Sequence, residues 1–168
     1  MKETTMLTTH TLDALKSLRL PAMASGLIHQ REHPDFATLS FEERLGLLVD
    51  AEILQRQNRR LERTLKAAQL RSGAVVEDLD FSSARGLDKT VVHSLVSSTW
   101  VDSHHYVMIV GPTGVGKTFV ACALAHNAIR NGHSALYLRV PRMLEDLRIA
   151  RADGRISRAW RVSPKWTC

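Results

Sequence analysis

Residues 107 to 120 read "VMIVGPTGVGKTFV". Gly111, four intervening residues, then Gly116, Lys117 and Thr118 match the spacing GxxxxGK[ST], the pattern of a loop that wraps phosphate groups. The chemistry follows from the residue types. The run Gly111-Pro112-Thr113-Gly114-Val115-Gly116 supplies a backbone cradle whose N–H groups converge on an anion. Glycine is expected at 111, 114 and 116 because a side chain there would clash with the curled backbone or hold the phosphates away. Lys117 can reach the β- and γ-phosphates as a flexible point charge, and the Thr118 hydroxyl can ligate Mg²⁺. ATP and Mg²⁺ are therefore the expected cofactors.

Such a loop is expected between a strand and a helix. Tyr106-Val107-Met108-Ile109-Val110 is a continuous apolar run of strand length, which predicts a buried parallel strand over 106–110. The following "KTFVACALAHNAIRNG" predicts a helix, with Phe119, Val120, Ala123, Leu124 and Ala128 at three- and four-residue spacing and Asn131-Gly132 as its stop. "SALYLRV" (134–140) reads as a second buried strand. Pro141 then opens a helix over "RMLEDLRIAR" that Asp153-Gly154 ends.

The material before the loop is helical and unevenly charged. Leu12, Leu15, Leu18, Met23, Leu27 and Ile28 predict one or two amphipathic helices over 11–30, and 31–38 is a loop. Ser40 and Glu43 have the spacing of a capping box opening a long helix through about Leu70. Its first half carries Glu42, Glu43, Asp50 and Glu52, whereas Arg56, Arg59, Arg60, Arg63, Lys66 and Arg71 follow against Glu62 alone. The four arginines from 56 to 63 stand at i, i+3, i+4 and i+7 and share one face, where guanidinium forks suit phosphate backbones. With only 5% aromatic residues and none between 42 and 80, contact with nucleic acid would be to the backbone and weakly sequence-specific. Segment 72–105 is a connector with one helix around Lys89 to Val96.

At 168 residues there is room for one medium domain or a small one plus part of another. Net charge +6 favours a polyanionic partner. Cys122 and Cys168 are too few for a disulfide framework and suit a reducing, cytoplasmic setting. The start "MKETTMLTTH" has no apolar signal core and the 106–110 run is too short to span a bilayer, so no membrane association is expected. Cys122 and His126 at i, i+4 are two ligands at most and read as core packing, and His104-His105 reads as an exposed turn.

Taken together, "TLDALKSLRLPAMA", "LSFEERLGLLVDAE", "RRLERTLKAAQLR", "RGLDK", "GPTGVGKT" with "ACALAHNA", and "YLRVPRMLEDLRIARADG" resemble the IstB-like group of AAA+ ATPases. These are ATP-binding helpers of insertion-sequence transposition, related to helicase loaders of the DnaC kind. The resemblance covers roughly residues 6 to 155, with Phe119-Val120 departing from a common His-Leu. It implies an α/β fold, in which an N-terminal helical domain (1–75) and a connector (76–105) precede an incomplete P-loop (AAA+) parallel-sheet core (106–155). A divergent tail (156–168) follows. It also implies double-stranded DNA, contacted by Arg56, Arg59, Arg60, Arg63 and Lys66, together with the transposase of the same element and further copies of the chain as partners.

A P-loop ATPase also uses an apolar strand ending in paired acids to hold Mg²⁺ and polarise water. The acids after Thr118 are Glu145, Asp146 and Asp153, the first two on an expected helix, and the ending "RISRAWRVSPKWTC" contains none. The chain therefore reads as truncated within the ATPase core, with no catalytic residue assigned and hydrolysis expected to be deficient. Two other readings stand beside this one. One is a non-enzymatic basic module, binding DNA or a partner, with a vestigial nucleotide loop. The other is a small-molecule P-loop kinase, which would usually place the loop near its N-terminus.

Overall fold

The structure is a computed structural model that describes residues 2–82 and 86–155. The expected tail over 156–168 lies outside them, as does Arg85 of the "RGLDK" piece. The chain divides into two compact units, Met1–Arg60 and Leu61–Cys168.

In the first unit, α1 (Lys2–Ser17) and α2 (Pro21–Glu32) are separated by a tight reversal. Arg19 takes φ 60, and the amides of Leu18 and Leu20 bond to the carbonyls of Ala14 and Leu15. These bonds satisfy the last carbonyls of α1 in the manner of a left-handed C-cap. Pro21, which cannot donate, then stands at the start of α2. A 3-10 turn over Pro34–Thr38 fills the expected loop before α3 (Phe41–Ala68). The capping box at its start is formed: the Glu43 amide donates to Ser40 Oγ at 3.2 Å, and Glu43 Oε2 accepts from the Ser40 amide at 2.8 Å.

Helix α2 has Leu20 at its N-cap and no side-chain cap of its own. Glu52 of α3 takes that role, its Oε2 accepting from the amides of Ala22 (2.9 Å) and Met23 (3.4 Å) while Oε1 accepts from Arg56 Nε (3.0 Å). Gln30 closes the other end, donating to the Arg44 carbonyl at 2.9 Å. The two helices approach so closely that a Cβ on Gly26 would stand 2.7 Å from Leu48 Cδ2. Burial alone would raise the Glu52 carboxyl, but the bonds from Arg56, Ala22 and Met23 outweigh it and hold it below the usual glutamate value. A lowered folded value means that this group contributes stability at neutral pH and loses it as pH falls through the carboxylate range. Glu52→Gln should therefore lower the urea midpoint at pH 7 and flatten the acid limb of stability against pH. Some slope should remain from Glu43 and Glu77, which are lowered as well. Circular dichroism of urea unfolding at several pH values checks this, and identical profiles for variant and parent would refute it.

The second unit is built around α6 (Lys117–Arg130), which buries Cys122, Ala123, Leu124, Asn127, Ala128 and Ile129. Against it lie Ala74, Leu79 and Val92, so the connector supplies much of the core. Helix α4 (Lys89–Val96) has the expected bounds and is capped by Asp88, whose carboxylate accepts from the amides of Thr90 and Val91. The short α5 (Thr99–Asp102) follows Ser98, which has φ 60 and is buried. Asn127 and Asn131 tie this corner to α6 by donating to the Val96 carbonyl at 2.6 and 3.1 Å. Helix α7 (Val140–Ala152) ends at Asp153 as expected.

The expected parallel-sheet core is not what the structure contains. Among the described residues every regular element is helical, and no strand or sheet occurs. The α/β assignment is corrected accordingly. Segments 106–110 and 134–140 lack the ladder bonds that define a strand, and the Tyr137 amide donates instead to the Ala68 carbonyl at the end of α3, at 2.8 Å. What remains of the strand signal is its alternation. Tyr106, Met108 and Val110 are the most exposed, whereas Val107, still 36% exposed, and the half-buried Ile109 line a cavity with Leu124 and Ala128. Apolar runs of this kind report a face to cover, but a strand exists only where a neighbour supplies its hydrogen bonds.

Candidate functional site

The 111–118 loop enters α6 directly. Gly114 has φ 88, and Gly116, the N-cap of α6, has φ 95, a left-handed conformation costly for any residue with a Cβ. The reason for glycine differs from the expected clash. A Cβ at 114 or 116 would meet nothing within 4 Å, and one at 111 would make an ordinary 3.5 Å contact with Val115. Backbone conformation, rather than space within the chain, requires glycine at 114 and 116.

Because Gly116 offers no side-chain cap, the first amides of α6 lack the acceptor that caps usually provide. These amides and the positive end of the helix dipole make the loop mouth a place for an anion. Lys117 stands in the first turn and folds back over the loop, its Nζ donating to the carbonyls of Gly111 (2.8 Å) and Pro112 (2.5 Å). The ammonium therefore sits across the turn that a phosphate would enter. Thr118 follows on the same turn, half-buried.

A cavity of about 420 Å³ opens beside the loop. Leu79, Leu87, Phe119 and Val120 are its apolar lining, and Gly116, Lys117, Asp78 and Asp80 line it as well. An apolar slot with a few polar groups at one end suits a flat base attached to a charged chain. The sequence reading missed Asp78, Leu79, Asp80, Gly86 and Leu87, which line this cavity. Their only signal was the short apolar pairs of the connector, and nothing local told which helix those pairs would cover. The loop amides, Lys117 and this slot are the features here that a phosphate-bearing ligand with a flat apolar part could use.

The basic row lies on α3, with Arg56, Arg59, Arg60, Arg63 and Lys66 all exposed. Arg56 has a structural task in addition. It pairs with Glu52, and its Nη2 donates to the Arg19 carbonyl at 3.1 Å, which anchors the α1–α2 reversal to α3. Among the described residues no group of three or more histidine, cysteine or acidic side chains could hold a metal ion. Cys122 packs in the core of the second unit. No helix among the described residues is long and apolar enough to cross a membrane.

Comparison with known proteins gives a family match. The pattern of the family described as IstB-like ATP binding protein matches residues 13–163, running past residue 155 where the resembling pieces end. The chain is 51% identical over 154 residues to the protein named as the ATP-binding protein of insertion sequence IS1162 from Pseudomonas fluorescens, covering 91% of this chain and 67% of that protein. It is 43% identical to an insertion-sequence ATP-binding protein of Sinorhizobium fredii, covering 94% and 64%. With one from Mycobacterium tuberculosis the identity is 34%, covering 88% and 57%. The chain thus spans roughly two thirds or less of the length of these curated relatives.

Proposed function

Because the chain belongs to the family of IstB-like ATP binding proteins, we propose that it binds Mg-ATP through residues 111–118 and acts as an ATP-binding helper in the movement of an insertion sequence. The observation that carries the nucleotide site is the uncapped start of α6, reached through left-handed glycines and flanked by an apolar slot. In this reading the backbone from Gly111 to Gly116 wraps the phosphates, Lys117 exchanges its loop carbonyls for phosphate oxygens, and Thr118 ligates Mg²⁺. The base lies against Leu79, Leu87 and Phe119. The names of the relatives, which speak of insertion sequences and ATP binding, support that setting. Double-stranded DNA would run along the α3 arginines, and the transposase of the same element would be the protein partner.

The proposed chain binds nucleotide but turns it over slowly. Glu145 and Asp146 lie on α7 and Asp153 caps it, so among the described residues no acid after Thr118 ends a strand beside the loop. Titration of the 168-residue chain with fluorescent nucleotides tests the whole reading. Mg-ATP should bind at least about tenfold more tightly than AMP, since only the triphosphate reaches the charge-assisted contacts of Lys117. Phosphate release in the same samples should stay near background. Equal affinity for ATP and AMP, or none for either, would sink the nucleotide site. Retained DNA binding in that case would favour the module with a vestigial loop.

A further inference from the structure

The slot beside the phosphate loop is lined by a carboxylate for which phosphate binding has no use. Asp78 ends the 3-10 turn Val76–Asp78, which packs against α6. Its two neighbours fix its place: Glu77 Oε1 accepts from Arg130 Nη1 of α6 at 2.6 Å, and Leu79 is buried. The Asp78 amide donates to the Val75 carbonyl at 3.1 Å. Its side chain is exposed, and among the described residues it has no hydrogen-bond or ion-pair partner. Asp80 lines the same cavity but is already engaged, its Oδ1 accepting from the Ser82 amide at 2.8 Å and the Ser82 hydroxyl at 2.6 Å. Asp78 is thus an acceptor held at a fixed point of the slot with its bonding capacity unused.

We infer that Asp78 accepts a hydrogen bond from the 6-amino group of adenine and so sets the base preference of the slot, a role that rests on the reading of residues 111–118 as an Mg-ATP site. An ionised carboxylate accepts hydrogen bonds and donates none. It repels a triphosphate, so the part of the ligand it can serve is the neutral end, away from Lys117 and the first amides of α6. On adenine the N–H donors are those of the exocyclic amine. Phe119, 39% exposed and the one aromatic side chain among the described residues lining the slot, supplies a face for the ring. Stacking by itself tolerates any flat base, because every base has a π-face. The carboxylate adds what stacking lacks: it fixes the rotation of the ring in its plane and rewards a base that carries an amine.

Displacement of a fluorescent ATP analogue from the full 168-residue chain tests it. The competitors are ATP, AMP, 2′-deoxy-ATP and purine riboside triphosphate, which is ATP without its 6-amino group. The parent should bind ATP at least about tenfold more tightly than purine riboside triphosphate, because the bond lost with the amine is one to a charged acceptor. In Asp78→Ala that ratio should fall to about one, while ATP remains preferred over AMP through the loop contacts. Circular dichroism of the variant shows that the fold has been kept. Equal affinity of the parent for the two triphosphates overturns the inference, and so does a ratio that survives in Asp78→Ala. A variant that changes the ratio of ATP to 2′-deoxy-ATP and spares the amine ratio places the carboxylate at the ribose and overturns it equally. Failure of the loop reading looks different: ATP then binds the parent no more tightly than AMP, and the role of Asp78 falls with it.

Discussion

Lys117→Ala should weaken Mg-ATP binding at least about tenfold, which corresponds to about 1.4 kcal/mol. The ammonium is the one mobile positive charge of the loop, and a charge-assisted bond to phosphate is worth more than the neutral bonds that surround it. The gain is a difference, however. Lys117 already donates to the Gly111 and Pro112 carbonyls, and these bonds must be exchanged for phosphate oxygens when nucleotide enters. A loss of many powers of ten is therefore not expected, because the backbone amides and the α6 dipole remain. The substitution also removes two bonds that close the loop, so thermal unfolding of the variant must be compared with the parent before affinities are interpreted. Thr118→Ala separates the roles further. It should reduce affinity in the presence of Mg²⁺ and change little in its absence, since a hydroxyl that ligates the ion has no part in metal-free binding. Unchanged Mg-ATP affinity in Lys117→Ala, measured by fluorescent-nucleotide titration on folded protein, would remove the loop from the binding site.

The features legible in the sequence are those that a few neighbouring residues decide. The capping box of Ser40 and Glu43, the bounds of α4, the Asn131-Gly132 stop of α6 and the end of α7 at Asp153 all depend on bonds within a turn or two. The left-handed conformations of Gly114 and Gly116 are likewise local, set within the turn that enters α6. The two strands were misjudged because a strand is a contract with a distant partner. The apolar runs at 106–110 and 134–140 were expected to be buried strands, but no ladder joins them and Tyr106, Met108 and Val110 stand exposed, with Val107 and Ile109 lining a cavity beside α6. The slot beside the loop was missed on the same grounds, since Leu79 and Leu87 lie some thirty residues or more before α6 and gain meaning only once folded against it. The partnership of Arg56 with Glu52 was within reach of the sequence, as an acid four residues before an arginine on a helix. The arginine row drew attention away from it.

That partnership bears on the second large effect, at the basic row. Replacing Arg59 and Arg63 together with glutamate should weaken binding to duplex DNA at least about tenfold at moderate salt and do so alike for every sequence, because phosphate contacts carry no base information. The two residues stand one turn apart on α3, and neither is the arginine that Glu52 holds. The salt dependence is the sharper readout. Each phosphate neutralised releases counterions and adds ~0.9 to the slope of log affinity against log salt. Arg71 lies beyond the end of α3 and Arg56 is engaged with Glu52 and Arg19. The slope contributed by this helix should therefore stay below about 4–5, and losing two contacts should flatten it by about 2. A solvated helix face, or one covered by a protein partner, gives a different result: DNA affinity and slope both unchanged by the double substitution. Filter binding at several salt concentrations decides between these outcomes once circular dichroism has shown that α3 survives, since four units of charge are altered on one helix face and an unfolded helix would mimic the expected loss.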